Sequence, residues 1–510
     1  MVSRRQRLYG LTLVLLAVAF STLAALRPLT IARAAGSGGA YSPLPPSRIF
    51  DTRNGTGSLG PGQSIDVQVM GQGNVPSTAS AVVLNVTATN TTAASYLTVY
   101  PTGAVQPVAS NLNWVAGQTI PNLVEVGLGT GGKVTVYNAA GRVDVLFDVA
   151  GYVATGLPAG QGLYNPLVPT RILDTRDGTG GVVPGPVGQG ATLTLQVTGS
   201  VVPTTASGVV LNVTVTNPSA SSYLTVYPSD QTQPVVSNLN FVRGQTIPNR
   251  VIVKLSADGK LNFYNAQGSV QVLADVGGWF SDASNPAATG STFTALTPSR
   301  ILDTRNSGFL LGQGRTLPVQ VAGQGGVPAM TDPLPPSAVV ANVTVAETSA
   351  GSYLTAWPDS AAQPLASDLN WTAGKTIPNL VVVKLSSGGA IDVYNAAGCA
   401  SVIVDVVGYY NGPLVSASSG VTGTVNCPKP SDNCGAPSNP WGYNFCDYYS
   451  GNTINNPPSN FCSYFACIAS FWNFTNGYVA ECNDTKYSHS GGVSGACSSH
   501  SGEWRPLWHR

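Results

Sequence analysis

Arginine and aspartate recur together in one motif of this chain, although charged side chains are otherwise scarce. The motif reads PSRIFDTRNGTG from Pro46, PTRILDTRDGTG from Pro169 and PSRILDTRNSG from Pro298. A guanidinium group can saturate a carboxylate with two parallel hydrogen bonds, either within the protein or on a ligand. The motif therefore predicts either an ion-pair network that holds a domain together or a binding site for a sugar or a carboxylate.

Each copy of the motif is followed, near the end of its repeat, by one more aspartate. The twelve residues of this predicted network are Arg48, Asp51, Arg53 and Asp148, then Arg171, Asp174, Arg176 and Asp275, then Arg300, Asp303, Arg305 and Asp405. Because alternate residues of a strand share a face, Asp51 and Arg53 should point the same way, and Arg48 the opposite way unless the strand bends. An aspartate beside two arginines should have a lowered pKa and make a poor acid catalyst.

Two further triplets recur in every copy. The aromatic residue that follows Leu-Asn is Trp114, Phe241 or Trp371, and such a residue is either a stacking platform for sugars or, more commonly, part of the core. The Asn-x-Thr triplets at Asn85, Asn212 and Asn342 look like glycosylation acceptors. They lie inside predicted strands, so we expect no glycan there.

The distance between copies indicates whole domains. Equivalent arginines are about 125 residues apart, whereas solenoid repeats are about 20–50 residues long and domains about 100–150. We therefore expect three complete β domains linked in series, each with its own core. Their predicted bounds are residues 41–155, 164–284 and 293–411.

Within a copy, runs of β-branched and aromatic residues alternate with Gly, Pro, Asn and Ser. Eight short antiparallel strands in about 115 residues predict an all-β sandwich or jelly roll. In the first copy they are expected around residues 48–53, 64–70, 81–89, 96–100, 111–115, 123–128, 133–137 and 143–149. The proline of TIPN at Pro121, which lacks a ladder donor, is expected to break a strand at a corner.

The repeats offer little for catalysis. They contain no histidine, and their only glutamates, Glu125 and Glu347, occupy unrelated positions. A serine or cysteine nucleophile would lack its base, and a glycosidase would have to use the recurring aspartates. We predict no catalytic residue and no cofactor.

The chain begins with features of export. Arg4, Arg5 and Arg7 precede an apolar run from Leu11 to Leu26, and Ala32-Arg33-Ala34 offers a cleavage site, which together predict a signal peptide over residues 1–34. The alternative is an uncleaved N-terminal anchor, for which this run is short, since a membrane span needs about 20 apolar residues. No other apolar run is as long, so no membrane span is expected after cleavage. A charged fraction of 9% and a net charge of +1 give nucleic acid no electrostatic attraction.

Cysteines concentrate after a Ser/Gly/Val/Thr-rich linker predicted at residues 412–424. Seven of the eight lie within residues 425–510, which predicts a small disulfide-rich module; they are Cys427, Cys434, Cys446, Cys462, Cys467, Cys482 and Cys497. Since seven is odd, either Cys399 of the third repeat pairs with the module or one thiol stays free. Cys482, His489, Cys497 and His500 are spaced only loosely like metal ligands, and we expect disulfides and no metal.

The P-S-R-I-L-D-T-R opening, the TIPN segment and the D-V-x-G-aromatic ending resemble repeat domains of exported bacterial cell-surface proteins over about residues 41–411. Such domains occur in arrays, sometimes beside cell-wall hydrolases or proteases. The segments SFWNFTNGYVAEC and YSHSGGVSGACSSHSG resemble a small Cys-containing domain of bacterial secreted proteins with no assigned function. That family often ends in G-x-C-S-x-H-G-G, from which Ser501-Gly502 departs. Neither resemblance implies a catalytic residue.

Together these features predict a non-enzymatic, secreted cell-surface or matrix protein. Its repeats would act as a spacer or as a multivalent binder of cell-wall or extracellular polysaccharide, because weak sites gain strongly when linked. The alternative is a secreted polysaccharide- or cell-wall-active hydrolase that uses the repeated aspartates or the C-terminal module.

Overall fold

Antiparallel β-strands make up nearly all the regular structure of this protein, as the sequence predicts. The computed structural model describes residues 38–359, 361–412, 437–441, 443, 452–473, 475–493, 497–500 and 503–509. The predicted signal peptide, most of the linker, and Cys427, Cys434 and Cys446 lie outside these residues. Helical segments in the described part are single turns at Thr52–Asn54, Thr130–Gly132, Thr304–Ser307, Phe461–Ser463 and Ser498–His500.

Each repeat contributes eight strands. Those of the first are β1 (Ala40–Asp51), β2 (Gln63–Gln68), β3 (Ala79–Thr89), β4 (Ser95–Pro101), β5 (Leu112–Trp114), β6 (Ile120–Gly127), β7 (Lys133–Asn138) and β8 (Asp144–Ala154). Those of the second are β9 (Tyr164–Asp174), β10 (Ala191–Gln196), β11 (Ala206–Thr216), β12 (Ser222–Pro228), β13 (Leu239–Phe241), β14 (Ile247–Lys254), β15 (Lys260–Asn265) and β16 (Gln271–Ser281). Those of the third are β17 (Thr292–Asp303), β18 (Arg315–Gln320), β19 (Pro336–Ala346), β20 (Ser352–Pro358), β21 (Leu369–Trp371), β22 (Ile377–Lys384), β23 (Ala390–Asn395) and β24 (Ser401–Asn411).

The strands of each repeat form two four-stranded sheets, so the three repeats hold six such sheets. In the first repeat the orders are β1-β8-β3-β6, here called the inner sheet, and β2-β7-β4-β5, the outer sheet; the other repeats follow the same order. Alternate residues of the strands, such as Leu84 of β3, Val99 of β4 and Phe147 of β8, face one another in one apolar cluster. Equivalent clusters fill the second and third repeats.

The predicted strands of the first repeat are all present, with two differences. Strand β1 starts at Ala40, earlier than expected, and ends at Asp51, so Arg53 falls in the following turn. Pro121 does not break a strand: it pairs with Thr87 near the start of β6. Because β6 is an edge strand of the inner sheet, the missing N–H of Pro121 leaves no central ladder incomplete.

The three repeats are not separate domains in series, contrary to the sequence prediction. The faces of the inner sheets turned away from the three repeat cores meet in a further apolar cluster. It includes Ala81 and Val83 of β3, Val210 of β11, and Val340 of β19, all at most 1% exposed. These strands are apolar on both faces because both faces are buried, and residues 38–412 therefore form one unit, here called the three-repeat block.

Asparagine side chains join the repeats in a closed ring. Asn85 donates its amide to the carbonyl oxygen of Ser237 in the second repeat at 2.6 Å. The second repeat bonds in the same way to the third through Asn212 and Ser367, and the third to the first through Asn342 and Ser110, both at 2.6 Å. These asparagines are the glycosylation triplets of the sequence, and their side chains are buried between repeats.

Aromatic rings fill the centre of the block at one end of the inner sheets. The rings of Tyr164 and Tyr410 are 4.2 Å apart, and those of Tyr41 and Phe280 are 4.3 Å apart. A Cβ at Gly151 would lie 2.3 Å from the hydroxyl oxygen of Tyr41. The recurring glycine of D-V-x-G-aromatic is therefore required because an aromatic ring from the first strand lies directly against it.

The C-terminal module has short strands and a separate aromatic core. Its strands are β25 (Asn452–Thr453), β26 (Tyr478–Cys482), β27 (Tyr487–Gly491), β28 (Glu503–Pro506) and β29 (Trp508–His509). Strand β26 pairs with β27 and β28, and β25 pairs with β29. The ring of Phe461 stacks on that of Phe465 at 4.2 Å and on that of Phe471 at 5.1 Å.

Among the described residues, none of the helices has the length and apolar character needed to cross a membrane.

Candidate functional site

The D-T-R segment forms a turn that its own side chains close. Asp51 is the last residue of β1 and caps the following turn by accepting a hydrogen bond from the backbone N–H of Arg53 at 3.0 Å. The guanidinium of Arg53 donates hydrogen bonds to both carboxylate oxygens of Asp51, at 2.8 and 2.6 Å. The segments after Asp174 and Asp303 repeat this arrangement.

Arg48 joins the first strand of the repeat to the last. Its Nε and Nη2 donate to the two oxygens of Asp148 on β8, at 2.7 and 3.1 Å. A register shift between Arg48 and Phe50 bends β1 there, so Arg48 lies on the same side as Asp51, with Nη1 3.6 Å from its Oδ2. The exception that the sequence left open, a bent strand, is the one observed. Arg171 with Asp275 and Arg300 with Asp405 make the same pair.

The two kinds of aspartate in the network differ in their pKa. The hydrogen bond from Arg53 lowers the pKa of Asp51, as expected for a carboxylate beside arginine. Burial raises the pKa of Asp148, although the hydrogen bond from Arg48 opposes the shift. The expectation of a lowered pKa is therefore wrong for Asp148 and its counterparts Asp275 and Asp405, because they lie deep between strands.

The threonine of D-T-R has a role that sequence reasoning missed. Thr52 is fully buried, accepts a hydrogen bond from the backbone N–H of Val145 at 3.0 Å and donates to Asp144 at 2.9 Å. Its recurrence between two charged residues in every copy was the available signal. Asp51 and Arg53 therefore close the turn, and Thr52 ties it to β8.

The aromatic residues after Leu-Asn lie in the cores of their repeats. Trp114 and Phe241 are 4% exposed and Trp371 is 7% exposed, which leaves no ring face free for a sugar. The indole N–H of Trp114 donates to the carbonyl oxygen of Ala93 at 3.1 Å. Their edges contribute instead to the wall of a cavity.

This central cavity, of about 1370 Å³, is lined by equivalent loops from all three repeats. Each loop follows the Leu-Asn-aromatic strand and leads into the TIPN strand. Recurring lining positions are Ser95, Ser222 and Ser352; Asn113, Asn240 and Asn370; and Thr119, Thr246 and Thr376. The two charged residues in the lining are Arg243 and Lys375. The Arg–Asp network does not line this cavity, so the two candidate sites predicted from the sequence are separate.

A glutamate is buried where the first and third repeats meet. Glu125 is 1% exposed and accepts a hydrogen bond from the hydroxyl of Tyr410 at 3.0 Å, while its second oxygen has no partner among the described residues. Burial raises the pKa of Glu125 to about 8. The equivalent positions of the other repeats hold the apolar residues Ile252 and Val382. A charged residue at a position that is otherwise apolar was the signal in the sequence.

The described part of the C-terminal module contains two disulfides, as predicted in kind. Cys462 pairs with Cys467, and Cys482 with Cys497. His500 contacts Asp484 at 2.6 Å. The described residues contain no group of three or more His, Cys, Asp or Glu suited to a metal.

Cys399 does not form the disulfide with the module that the odd cysteine count left open. It is a free, partly buried thiol. The backbone N–H of Cys399, just after the Asn-Ala-Ala-Gly turn, donates to the hydroxyl oxygen of Ser349 at 2.8 Å. This hydrogen bond does not involve the thiol.

The architecture defines an all-β protein built of six four-stranded sheets around a shared centre. No family model and no curated protein matches the chain. A solved structure described as a triple jelly roll fold and turret assembly in an archaeal virus is 9% identical and covers 74% of this chain and 91% of its own, with a TM-score of 0.16. A structure of Sulfolobus turreted icosahedral virus is 11% identical and covers 70% of this chain and 85% of its own, also at 0.16. Both concern virus particles.

Proposed function

We propose that the protein is a non-enzymatic, exported cell-surface or matrix protein whose three repeats form one rigid structural block. The closed ring of bonds from Asn85, Asn212 and Asn342 carries this proposal. A ring of buried bonds around a shared apolar centre fixes the repeats relative to one another, unlike modules on flexible linkers. The disulfides of the C-terminal module fit an oxidising, extracellular setting.

We further propose that each repeat is one jelly roll. Six four-stranded sheets also make a six-bladed β-propeller, but within a repeat the chain here crosses from one sheet to the other at every step except from β4 to β5 and its equivalents. The two sheets of a repeat also face a single core, as in a sandwich. These two features support three jelly rolls that pack about a common axis, with bounds close to residues 41–155, 164–284 and 293–411.

The hydrolase alternative gains little support from the repeated aspartates. A glycosidase needs one carboxyl group that can deliver a proton and another that is free to act as base or nucleophile. Both oxygens of Asp148 are held by Arg48, and both oxygens of Asp51 by Arg53. We therefore assign the network to stability.

A second candidate function is multivalent glycan binding, and pairs of one exposed and one half-buried tyrosine favour it. Tyr96 is 37% exposed, and its ring centre is 6.2 Å from that of Tyr137 on the outer sheet. The other repeats present the same feature, with Tyr223 beside Tyr264 and Tyr353 beside Tyr394. Three such pairs on one rigid block offer the avidity of linked weak sites.

Small-angle scattering of the full chain tests the rigid block. We expect a compact profile whose dimensions change little with salt, whereas repeats joined only by linkers would give an extended one. Replacing the three ring asparagines, Asn85, Asn212 and Asn342, by alanine should expand the protein. The matched control is Asn54→Ala, an exposed asparagine outside the interfaces. An extended profile of the unmodified protein would overturn the proposal.

Retention on purified peptidoglycan and common polysaccharides tests the second function. Full-length protein is compared with a variant carrying alanine at Tyr96, Tyr223 and Tyr353. Equal retention of both proteins would remove the tyrosine pairs from binding, and retention of neither protein would leave a structural role. Release of reducing sugar by the intact protein would revive the hydrolase alternative.

A further inference from the structure

We propose that the central cavity binds an acidic oligosaccharide whose carboxylates are held by Arg243 and Lys375. This inference deepens the second proposed function by naming a site and a ligand class, and it rests on the rigid block because three repeats build the cavity. The charge, the hydrogen-bonding groups and the size of the cavity all fit such a ligand.

The charge of the lining is positive only. Arg243 and Lys375 are in the lining and no aspartate or glutamate is. Both side chains are exposed, and neither forms an ion pair or a side-chain hydrogen bond with another described residue. Two cations without local counterions attract an anionic ligand, the more so inside a concave wall.

The uncommitted amides of the lining are hydrogen-bond donors. The side-chain oxygens of Gln118 and Gln245 accept from the backbone N–H groups of Val115 and Val242, at 3.1 and 3.0 Å. Their NH₂ groups have no partner among the described residues. A ligand in this cavity therefore meets donors, which suit the acceptor-only oxygens of a carboxylate.

The recurring asparagines of the cavity wall also have side-chain amide groups that are free to donate. The side-chain oxygen of Asn113 accepts from the hydroxyl of Ser110 at 2.8 Å. Asn240 and Asn370 are engaged in the same way at 3.0 Å. Their amide hydrogens stay available, and they supply donors in all three repeats.

The size of the cavity fits an oligomer. Its volume of about 1370 Å³ exceeds the roughly 300–1,000 Å³ of a site for a drug-sized molecule. Apolar surface from Tyr96, Val115 and Val242 lies beside the polar groups, as the alternating polar edges and apolar faces of sugar rings require. A single small anion would leave most of this wall without contact.

The cations break the symmetry of the cavity. Arg243 replaces the alanines Ala116 and Ala373 of the other repeats, and Lys375 replaces Gln118 and Gln245. The ligand should therefore lie off the axis, against the second and third repeats. The same comparison supplies substitutions that the fold already accepts: Arg243→Ala and Lys375→Gln.

Calorimetric titration of the full-length protein with hexagalacturonate tests the site, with maltohexaose as the neutral probe. We expect hexagalacturonate to bind, with an affinity that falls as salt rises from about 50 to 300 mM, and maltohexaose to bind much more weakly. The double variant Arg243→Ala/Lys375→Gln should bind hexagalacturonate at least about tenfold more weakly, since it loses two charge-assisted contacts. Its unfolding temperature should match that of the unmodified protein.

The matched control is Arg142→Ser, which removes one exposed positive charge outside the lining and installs the residue that the second repeat holds there, Ser269. It should bind as the unmodified protein does. Failure of hexagalacturonate to bind, equal binding of the neutral probe, or equal weakening by Arg142→Ser would overturn the inference. A compact scattering profile in that case would leave the rigid block standing, so the two failures are distinguishable.

Discussion

Arg250 of the second repeat and Asp368 of the third form a buried ion pair, with Nη2 2.5 Å from Oδ1. The other oxygen of Asp368 accepts from the backbone N–H of Ala356 at 2.8 Å. At the two other interfaces a leucine replaces Arg250 and an asparagine replaces Asp368. The equivalent pair is Leu123 with Asn238 between the first and second repeats, and Leu380 with Asn111 between the third and first. One of the three interfaces therefore differs in chemistry from the others.

Breaking this pair on one side should be costly, and replacing both sides should not. Asp368→Asn leaves Arg250 charged and unpaired in the interface, with an expected loss of about 3–5 kcal/mol in the free energy of unfolding. The double variant Arg250→Leu/Asp368→Asn recreates the pair found at the other interfaces and should recover most of that loss. Denaturant titration of all three proteins measures the difference. A double variant as unstable as the single one would show that the interfaces are not interchangeable.

Glu125 should make stability fall as pH rises. Its pKa is raised from 4.5 to about 8 in the folded protein, so between these values the folded state holds a proton that the unfolded state has lost. By linkage, stability decreases across that window and levels off above it. Glu125→Gln, which keeps the side-chain shape without the charge, should remove this decrease.

Thermal unfolding at several pH values between about 5 and 9 measures the effect of Glu125. Glu347→Gln is the control, because Glu347 is the other glutamate of the repeats and is exposed. If Glu125→Gln and Glu347→Gln gave the same dependence of unfolding temperature on pH, the burial of Glu125 would not be the cause of that dependence.

The two arginines of the first repeat should differ in importance. Arg48→Ala leaves Asp148, which is 2% exposed, without its partner and should destabilise the protein by about 2–4 kcal/mol. Arg53→Ala removes a pair on a side chain that is 45% exposed and should cost less than about 1 kcal/mol. Denaturant midpoints compare them directly. An equal loss for both would contradict a stabilising role centred on Asp148.

A methyl group at Gly151 should disturb the aromatic centre. Its Cβ would come within 2.6 Å of three atoms of the Tyr41 side chain, which is fully buried and cannot move aside freely. We expect Gly151→Ala to lower stability by about 1–3 kcal/mol through overpacking. Gly388→Ala is the control, because its nearest contact would be an ordinary 3.7 Å. A thermal midpoint unchanged by Gly151→Ala would show that the rings can rearrange.

The sequence predicts the elements of each repeat well, because they depend on local patterns. Runs of β-branched and aromatic residues between turn clusters located the eight strands. The recurrence of Arg48 and Asp148 in every copy identified partners that are 100 residues apart. The direction of Arg48 was undetermined because it depends on a bulge in β1. A bulge adds one residue to a strand and leaves no clear mark in the sequence.

The packing of the repeats was not predicted, although one signal was present. In the run Ala-Val-Val-Leu-Asn-Val from Ala81, both faces of the strand are apolar, which is typical of a strand buried on both sides. The central cavity could not be predicted in the same way, because its wall combines loops that are far apart in the chain. Trp114 was identified as a candidate, but its exposure is set by contacts within its own repeat.

The two ends of the inner sheets carry different features of the three-repeat block. Ala40 pairs with Ala154 at one end of the inner sheet, where the aromatic rings lie, while Ile120 starts β6 at the opposite end, where the loops of the cavity lie. The chain enters the block beside Phe293, to which Gly39 bonds, and leaves it at Gly412, beside Ser291. Entry and exit therefore share one pole, and the cavity opens at the other. If the protein were attached to another structure through either flanking segment, the attachment would lie at the pole opposite the cavity. The cavity would then open away from the point of attachment.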